Sequence, residues 1–127
     1  MRSEALNWWK QALKDLETAS KNLEIKEYYV TAFFSQQATE KALKALYLYK
    51  LKESSGPTHS LIFLGKNVGI PEEFYSSLRK LSPDFVITRY PDAANGVPYD
   101  LYDKEIADER LKLSQKVLKW VEKELKK

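Results

Sequence analysis

The stretch EYYVTAFFSQQATEKALKALYLYKL, Glu27 to Leu51, decides the fold. Val30, Phe34, Ala38, Ala42, Leu46 and Tyr49 recur at steps of four and three, the period of one helix face. Tyr29, Phe33, Leu43 and Tyr47 widen that face. At about 1.5 Å per residue the helix spans roughly 35 Å. Apolar over so much of its circumference, it is expected at the centre of a helical protein. It stops at the breaker cluster Ser54-Ser55-Gly56-Pro57.

Working outward, the preceding segment reads as a second long helix. Ser3 is expected as its N-cap, with Glu4 in the first turn. Leu6, Trp9, Leu13, Leu16 and Leu23 trace one apolar stripe. Trp8 lies about 100° off it. Beyond the breaker, Thr58 is expected to cap a short helix containing Leu61, Ile62 and Leu64, its length limited by Gly65 and Gly69. Ile70-Pro71-Glu72-Glu73 is a start signal for another short helix carrying Phe74, Leu78 and Leu81, ended by Ser82-Pro83. A long loop is expected from Asp84 to about Asp100, with Phe85-Val86-Ile87-Thr88 as the single strand-like patch. Asp103 or a neighbour then opens a last long helix to Lys127, with Ile106, Arg110, Leu113, Val117, Val121 and Leu125 inward. The expected fold is all-α. It is an up-and-down four-helix-bundle-like domain of three long and two short helices, single over residues 1–127.

Composition narrows the function classes. The chain has 127 residues, 43% hydrophobic and 31% charged, enough for one core. No apolar run reaches membrane-spanning length, and the N-terminus is acidic and helical in pattern rather than signal-like. A cytoplasmic location and no membrane partner are therefore expected. There is no cysteine, so thiol chemistry and thiolate metal sites are excluded. A single histidine, His59, excludes a histidine-rich metal site within one chain, and no metal or cofactor is expected. The net charge of +3 is too small for nucleic-acid binding by bulk electrostatics, so nucleic acid is not a favoured partner. Only four of the 21 basic residues are arginine: Arg2, Arg79, Arg89 and Arg110. They are the informative ones, because a planar guanidinium suits fixed contacts to anions.

Several segments taken together point to a family. They are WWKQALKDLETA, then YYVTAFFSQQATEKALKALY, then a breaker and THSLIFL, then TRYPD, then the long final helix. Their order and wording resemble the HEPN domain over nearly the whole chain, most specifically in FFSQQATEKALKAL, THSL and RYPD. The resemblance implies a bundle with short extra helices that forms a two-fold homodimer. It implies that the chain binds a nucleotide, or acts with a small nucleotidyltransferase in a two-component, toxin–antitoxin-like pair, or both. Other branches of the family are metal-independent ribonucleases, which carry an Arg followed within a couple of helical turns by a His on the last helices. Here Arg2 is the only arginine before His59, and no such pair exists. The expectation is accordingly a protein without a catalytic site of that kind.

Six residues are the candidate nucleotide contacts: Arg89, Tyr90, Asp92, Lys41, His59 and Gln37. Pro91 pushes Tyr90 into an extended form, so a stiff turn presents Arg89 and Asp92. The guanidinium could grip a phosphate or carboxylate bidentately, with Tyr90 stacking on a base. The plain alternative is an Arg89–Asp92 pair that fastens the loop. His59, at a helix start, either bonds a neighbouring backbone group or donates into the cleft of Arg89. Gln37, Lys41 and Lys44 share a helix face, as a polar groove or a solvated surface, and Lys41 is the residue expected to meet phosphate in a groove. The adjacent pairs Trp8-Trp9, Tyr28-Tyr29 and Phe33-Phe34 leave aromatic surface that one core cannot absorb, and a dimer interface is its economical use. Three function readings follow. The first is the nucleotide- or nucleotidyltransferase-binding dimer. The second is a ribonuclease toxin with a non-standard site, and the third a purely structural interaction module.

Overall fold

The computed structural model describes all 127 residues. Helix α2 (Tyr28–Leu51) is its centre, as its apolar breadth requires: fourteen of its 24 residues are buried, against five of 22 in α1 (Ser3–Glu24). A three-residue connection, with Lys26 at φ 65°, folds α2 back along α1. The pairing is antiparallel: the Thr31 hydroxyl donates to the Ala19 carbonyl at 3.0 Å, and Lys41 reaches Asp15. Helix α7 (Lys104–Leu125) runs parallel to α2. The Thr39 hydroxyl donates to Ser114 Oγ at 2.9 Å, and Lys50 pairs with Glu124 at 2.8 Å nearer the far end. The return leg between them is made by α3 (Leu61–Asn67) and α4 (Tyr75–Leu81), the latter entered through a 3-10 turn over Glu72–Phe74. This is the all-α up-and-down bundle expected, and no helix in it is long and apolar enough to cross a membrane.

The phase of the outer helices differs from the expected stripes. The face of α1 that meets α2 is Ala5, Trp9, Ala12, Asp15 and Ala19, while Leu13 stays 43% exposed. Small side chains let the two backbones come close, and the leucines flank that contact instead of filling it. In the first half of α7 the buried residues are Ala107, Leu111 and Ser114, not Ile106, Arg110 and Leu113, for the same reason. Two expected caps also move. Ser3 is already helical and Arg2 holds the N-cap position without a side-chain bond. In α3 the cap is Ser60, which accepts the Phe63 N–H at 3.1 Å, while Thr58 accepts the Ser60 N–H. Asp103 caps α7 as expected, accepting the Ile106 N–H at 2.8 Å.

The expected loop over 84–100 is instead a strap of short turns: α5 (Asp84–Ile87), α6 (Pro91–Ala94) and a 3-10 turn over Pro98–Leu101. Four short α-helices thus replace the expected two. Pro91 sits in the first turn of α6, where its missing N–H costs nothing. The strand-like patch at Phe85–Thr88 is helical, with the Thr88 hydroxyl donating back to the Asp84 carbonyl. A four-residue helix shows too little period for its apolar pattern to reveal it.

Gly65 does not terminate α3 but lies inside it, where a Cβ would meet Leu78 Cδ1 at 2.7 Å and Ile70 Cγ2 at 2.9 Å. Both neighbours are branched, buried core side chains. Gly65→Ala is expected to lower stability by about 1–3 kcal/mol through overpacking. Urea unfolding read by circular dichroism checks this, and an unchanged midpoint would show that the α3–α4 contact yields freely.

Candidate functional site

Helix α2 carries charge into the interior. Glu40 is 4% exposed and Lys44 8%. Such burial is tolerated only with partners, and Glu40 has three. Lys44 Nζ lies 3.2 Å from Oε2, Gln36 Nε2 donates to Oε1 at 3.3 Å, and His59 Nδ1 lies 3.2 Å from both oxygens. Gln37 extends the chain by donating to Gln36 Oε1 at 2.7 Å. Lys44 also sits over the Trp8 ring at 5.3 Å. One turn away, Lys41 pairs with Asp15, which is itself buried and also accepts from Gln11 at 2.9 Å. The row Gln37, Lys41, Lys44 is therefore a charge-neutral seam between α1, α2 and the start of α3.

The second cluster surrounds Arg89. Its guanidinium carbon lies 4.9 Å from the Phe85 ring centre, 5.4 Å from Tyr90 and 5.8 Å from Phe33. The His59 ring stacks on Phe85, centroids 4.1 Å apart. Tyr99 meets Tyr29 at 6.5 Å, and Tyr29 precedes Phe33 by one turn on α2. The result is a continuous stripe from Tyr99 through Tyr29, Phe33 and Arg89 to Phe85 and His59. Arg89 and His59, expected to share a cleft, thus share the ring of Phe85. Lys41 and Gln37 belong to the other cluster. Asp92 stands exposed in the first turn of α6, with no ion pair to Arg89 or to any other cation within 4.0 Å.

A third group escaped sequence reasoning. Asp84, 2% exposed, accepts the Tyr102 hydroxyl at 2.6 Å and Arg110 Nε at 2.7 Å. Arg110 turns its other edge to Glu109. Asp84 opens the strap and Tyr102 follows its last turn, so one hydrogen bond closes the strap at its base and Arg110 fixes that base to α7. Burial pushes the Asp84 carboxyl above its ordinary range, although the Tyr102 hydroxyl and the Arg110 guanidinium pull the other way. Burial, and then the bond to Asp84, also pushes the Tyr102 hydroxyl up. The only signal in the sequence was the scarcity of arginine, and it pointed to Arg110 without a partner.

The HEPN domain family model matches residues 5–124. The chain belongs to the HEPN family. A relative in Methanocaldococcus jannaschii named "Putative toxin MJ1304" is 31% identical over 132 aligned positions, covering 92% of this chain and 85% of the relative. The crystal structure of TT1696 from Thermus thermophilus is 33% identical, with a TM-score of 0.87 and 97% and 99% of the two chains covered. That of ST0689, described as an archaeal HEPN homologue, is 32% identical, with a TM-score of 0.83 and 98% and 99% covered. The strap carries Arg89 and Asp92 at the surface without an ion pair. The seam on α2 is closed by its own ion pairs.

Asp84→Ala leaves Arg110 and Tyr102 without their acceptor and is expected to cost about 3 kcal/mol. The sign of the pH effect follows from the raised carboxyl. The folded state takes up the Asp84 proton at higher pH than the unfolded state does. That contribution is complete below the ordinary aspartate range and is lost as pH rises through the raised value. Relative to Asp84→Asn, which carries no titrating carboxyl, the wild type should gain stability as pH falls from neutral into the carboxylate range. Parallel urea titrations of the two proteins read this difference, and a wild type that loses ground on acidification would refute it.

Proposed function

We propose that this HEPN protein is a homodimeric, toxin-like subunit that acts with a small nucleotidyltransferase in a two-component pair. The observation that carries the reading is the aromatic stripe around Arg89, in which Arg89, Tyr90 and Tyr99 are exposed and Tyr29, Phe33 and Phe85 half-buried. Tyrosine, phenylalanine and a lone arginine, rimmed by polar residues, make the composition of a protein-docking centre. The relative named as a toxin, alike over most of both chains, supports the two-component setting. The neutral seam at Glu40 and Lys44 supports a scaffold role for α2 rather than a reacting centre. In this reading the chain alone slows growth when expressed, and its cognate nucleotidyltransferase relieves the effect and co-elutes with it. A chain that is harmless alone, or that never co-elutes, would sink the pairing.

A second reading, nucleotide binding, is favoured by one observation: Arg89 is oriented by three rings and has no carboxylate of its own. A phosphate could occupy that edge bidentately, with Tyr90, 48% exposed, beneath a base. Lys41 and His59 would contribute only after leaving Asp15 and Glu40, so Arg89 is the contact to test. Calorimetric titration with ATP should show saturable heat that Arg89→Ala abolishes. A silent titration of folded wild type would remove this reading and leave the protein-docking one intact.

A further inference from the structure

Five of the chain's ten exposed large hydrophobic side chains, Val86, Tyr90, Val97, Tyr99 and Leu101, fall within the sixteen residues 86–101. This strap runs beside the half-buried Tyr29 and Phe33 of α2, joined to them by the Tyr99–Tyr29 contact and by Arg89 over Phe33. At its centre are two charges of opposite sign, three residues apart, that do not meet. Arg89 is held over Phe33, Phe85 and Tyr90 with no carboxylate within 4.0 Å, and Asp92 projects from α6 with no cation within that distance. Their separation is built into the backbone. Tyr90 is extended, at φ −128° and ψ 122°, and the helical turn beginning at Pro91 follows it.

We infer that a second copy of this chain seats on the strap by a two-fold axis, and that Arg89 of each copy pairs with Asp92 of the other. The inference rests on the homodimer of the proposed function and assigns its surface. The argument is self-complementarity. In a two-fold interface the patch on each copy faces the same patch on the other, so it must carry both members of every charge pair. Arg89 and Asp92 meet that requirement within three residues, and they do not pair within one chain. Three residues apart, they lie within one small patch that can carry both members of the pair. The exposed Val86, Tyr90, Val97, Tyr99 and Leu101 of the strap supply the apolar area that a charge pair alone does not. An arginine already oriented by aromatic faces loses little freedom on pairing, so the contact specifies register as well as adding affinity.

The test is a charge swap read by light scattering coupled to size exclusion, with circular dichroism confirming the fold of each variant. Wild type is expected at twice the 14.8 kDa chain mass. Arg89→Glu and Asp92→Arg are each expected to weaken the dimer by about a hundredfold or more, because each sets like charges face to face. The double variant, Arg89→Glu with Asp92→Arg, restores opposite charges across the axis and should recover the dimer to within about tenfold. A monomeric wild type, or a dimer untouched by either single change, overturns the inference. Two disruptive single variants with no recovery in the double variant also overturn it, because the partner carboxylate then lies elsewhere. A control swap with Asp100→Arg that rescues Arg89→Glu would do the same. Co-elution with the nucleotidyltransferase is scored separately. The pairing can therefore survive a failed swap, and the swap can succeed where the pairing fails.

Discussion

Everything in this bundle depends on keeping α2 buried while it carries Glu40 and Lys44. A lone carboxylate in that position would cost several kcal/mol of lost hydration. The Glu40 carboxylate avoids this only by gathering Lys44, Gln36 and His59 around it. Each partner imposes a position on something else. Lys44 brings Trp8 and so the start of α1. His59 fixes the connection between α2 and α3, and its ring provides the surface on which Phe85 stacks. A polar requirement on the central helix is thereby transmitted, ring by ring, to the outer surface of the strap.

The strap has a second anchor at its base. Asp84 ties its own end to the Tyr102 end, and Arg110 ties both to α7. The Thr88 hydroxyl, turned back to the Asp84 carbonyl, is the last buried polar contact on the way out, and no residue from Arg89 to Leu101 is buried. The fold therefore holds the ends of a seventeen-residue segment from Asp84 to Asp100 firmly and leaves its middle at the surface. A segment held in this way can present side chains to another molecule without the rest of the bundle moving.

The long helices were legible because their apolar residues repeat over six or seven turns, enough to define an axis. Phase was less legible. Leu13 and Ala12 differ little in a pattern of apolar spacing, yet which of them faces α2 depends on how closely the partner backbone approaches. The short helices of the strap hid for a different reason, since four residues carry barely one period. The site divides in the same way. Arg89 and His59 could be nominated by scarcity, but Phe85, the ring that joins them, looked like a strand residue. Asp84 looked like one loop aspartate among several, because its importance comes from being 2% exposed. Burial of a polar residue outside a periodic element has no local signature.

What the fold consumes narrows where function can lie. The apolar core closes with Trp9, Leu43, Leu46, Leu64, Leu78, Val117 and Val121 among its members, and it includes none of Tyr29, Phe33, Phe85, Tyr90 or Tyr99. The interior charges are likewise consumed: Lys41 by Asp15, Lys44 by Glu40, which also bonds the His59 ring, and Arg110 by Asp84 and Glu109. What remains is a band of rings, Tyr90 and Tyr99 exposed and the others half-buried, beside Arg89 and Asp92, which the chain does not bring together. Neither core packing nor helix capping requires Arg89 over three aromatic faces. The fold satisfies glutamate, aspartate and lysine in its interior and leaves that arginine without a carboxylate on a doubly anchored strap, so its charge is free to meet a group from outside the chain.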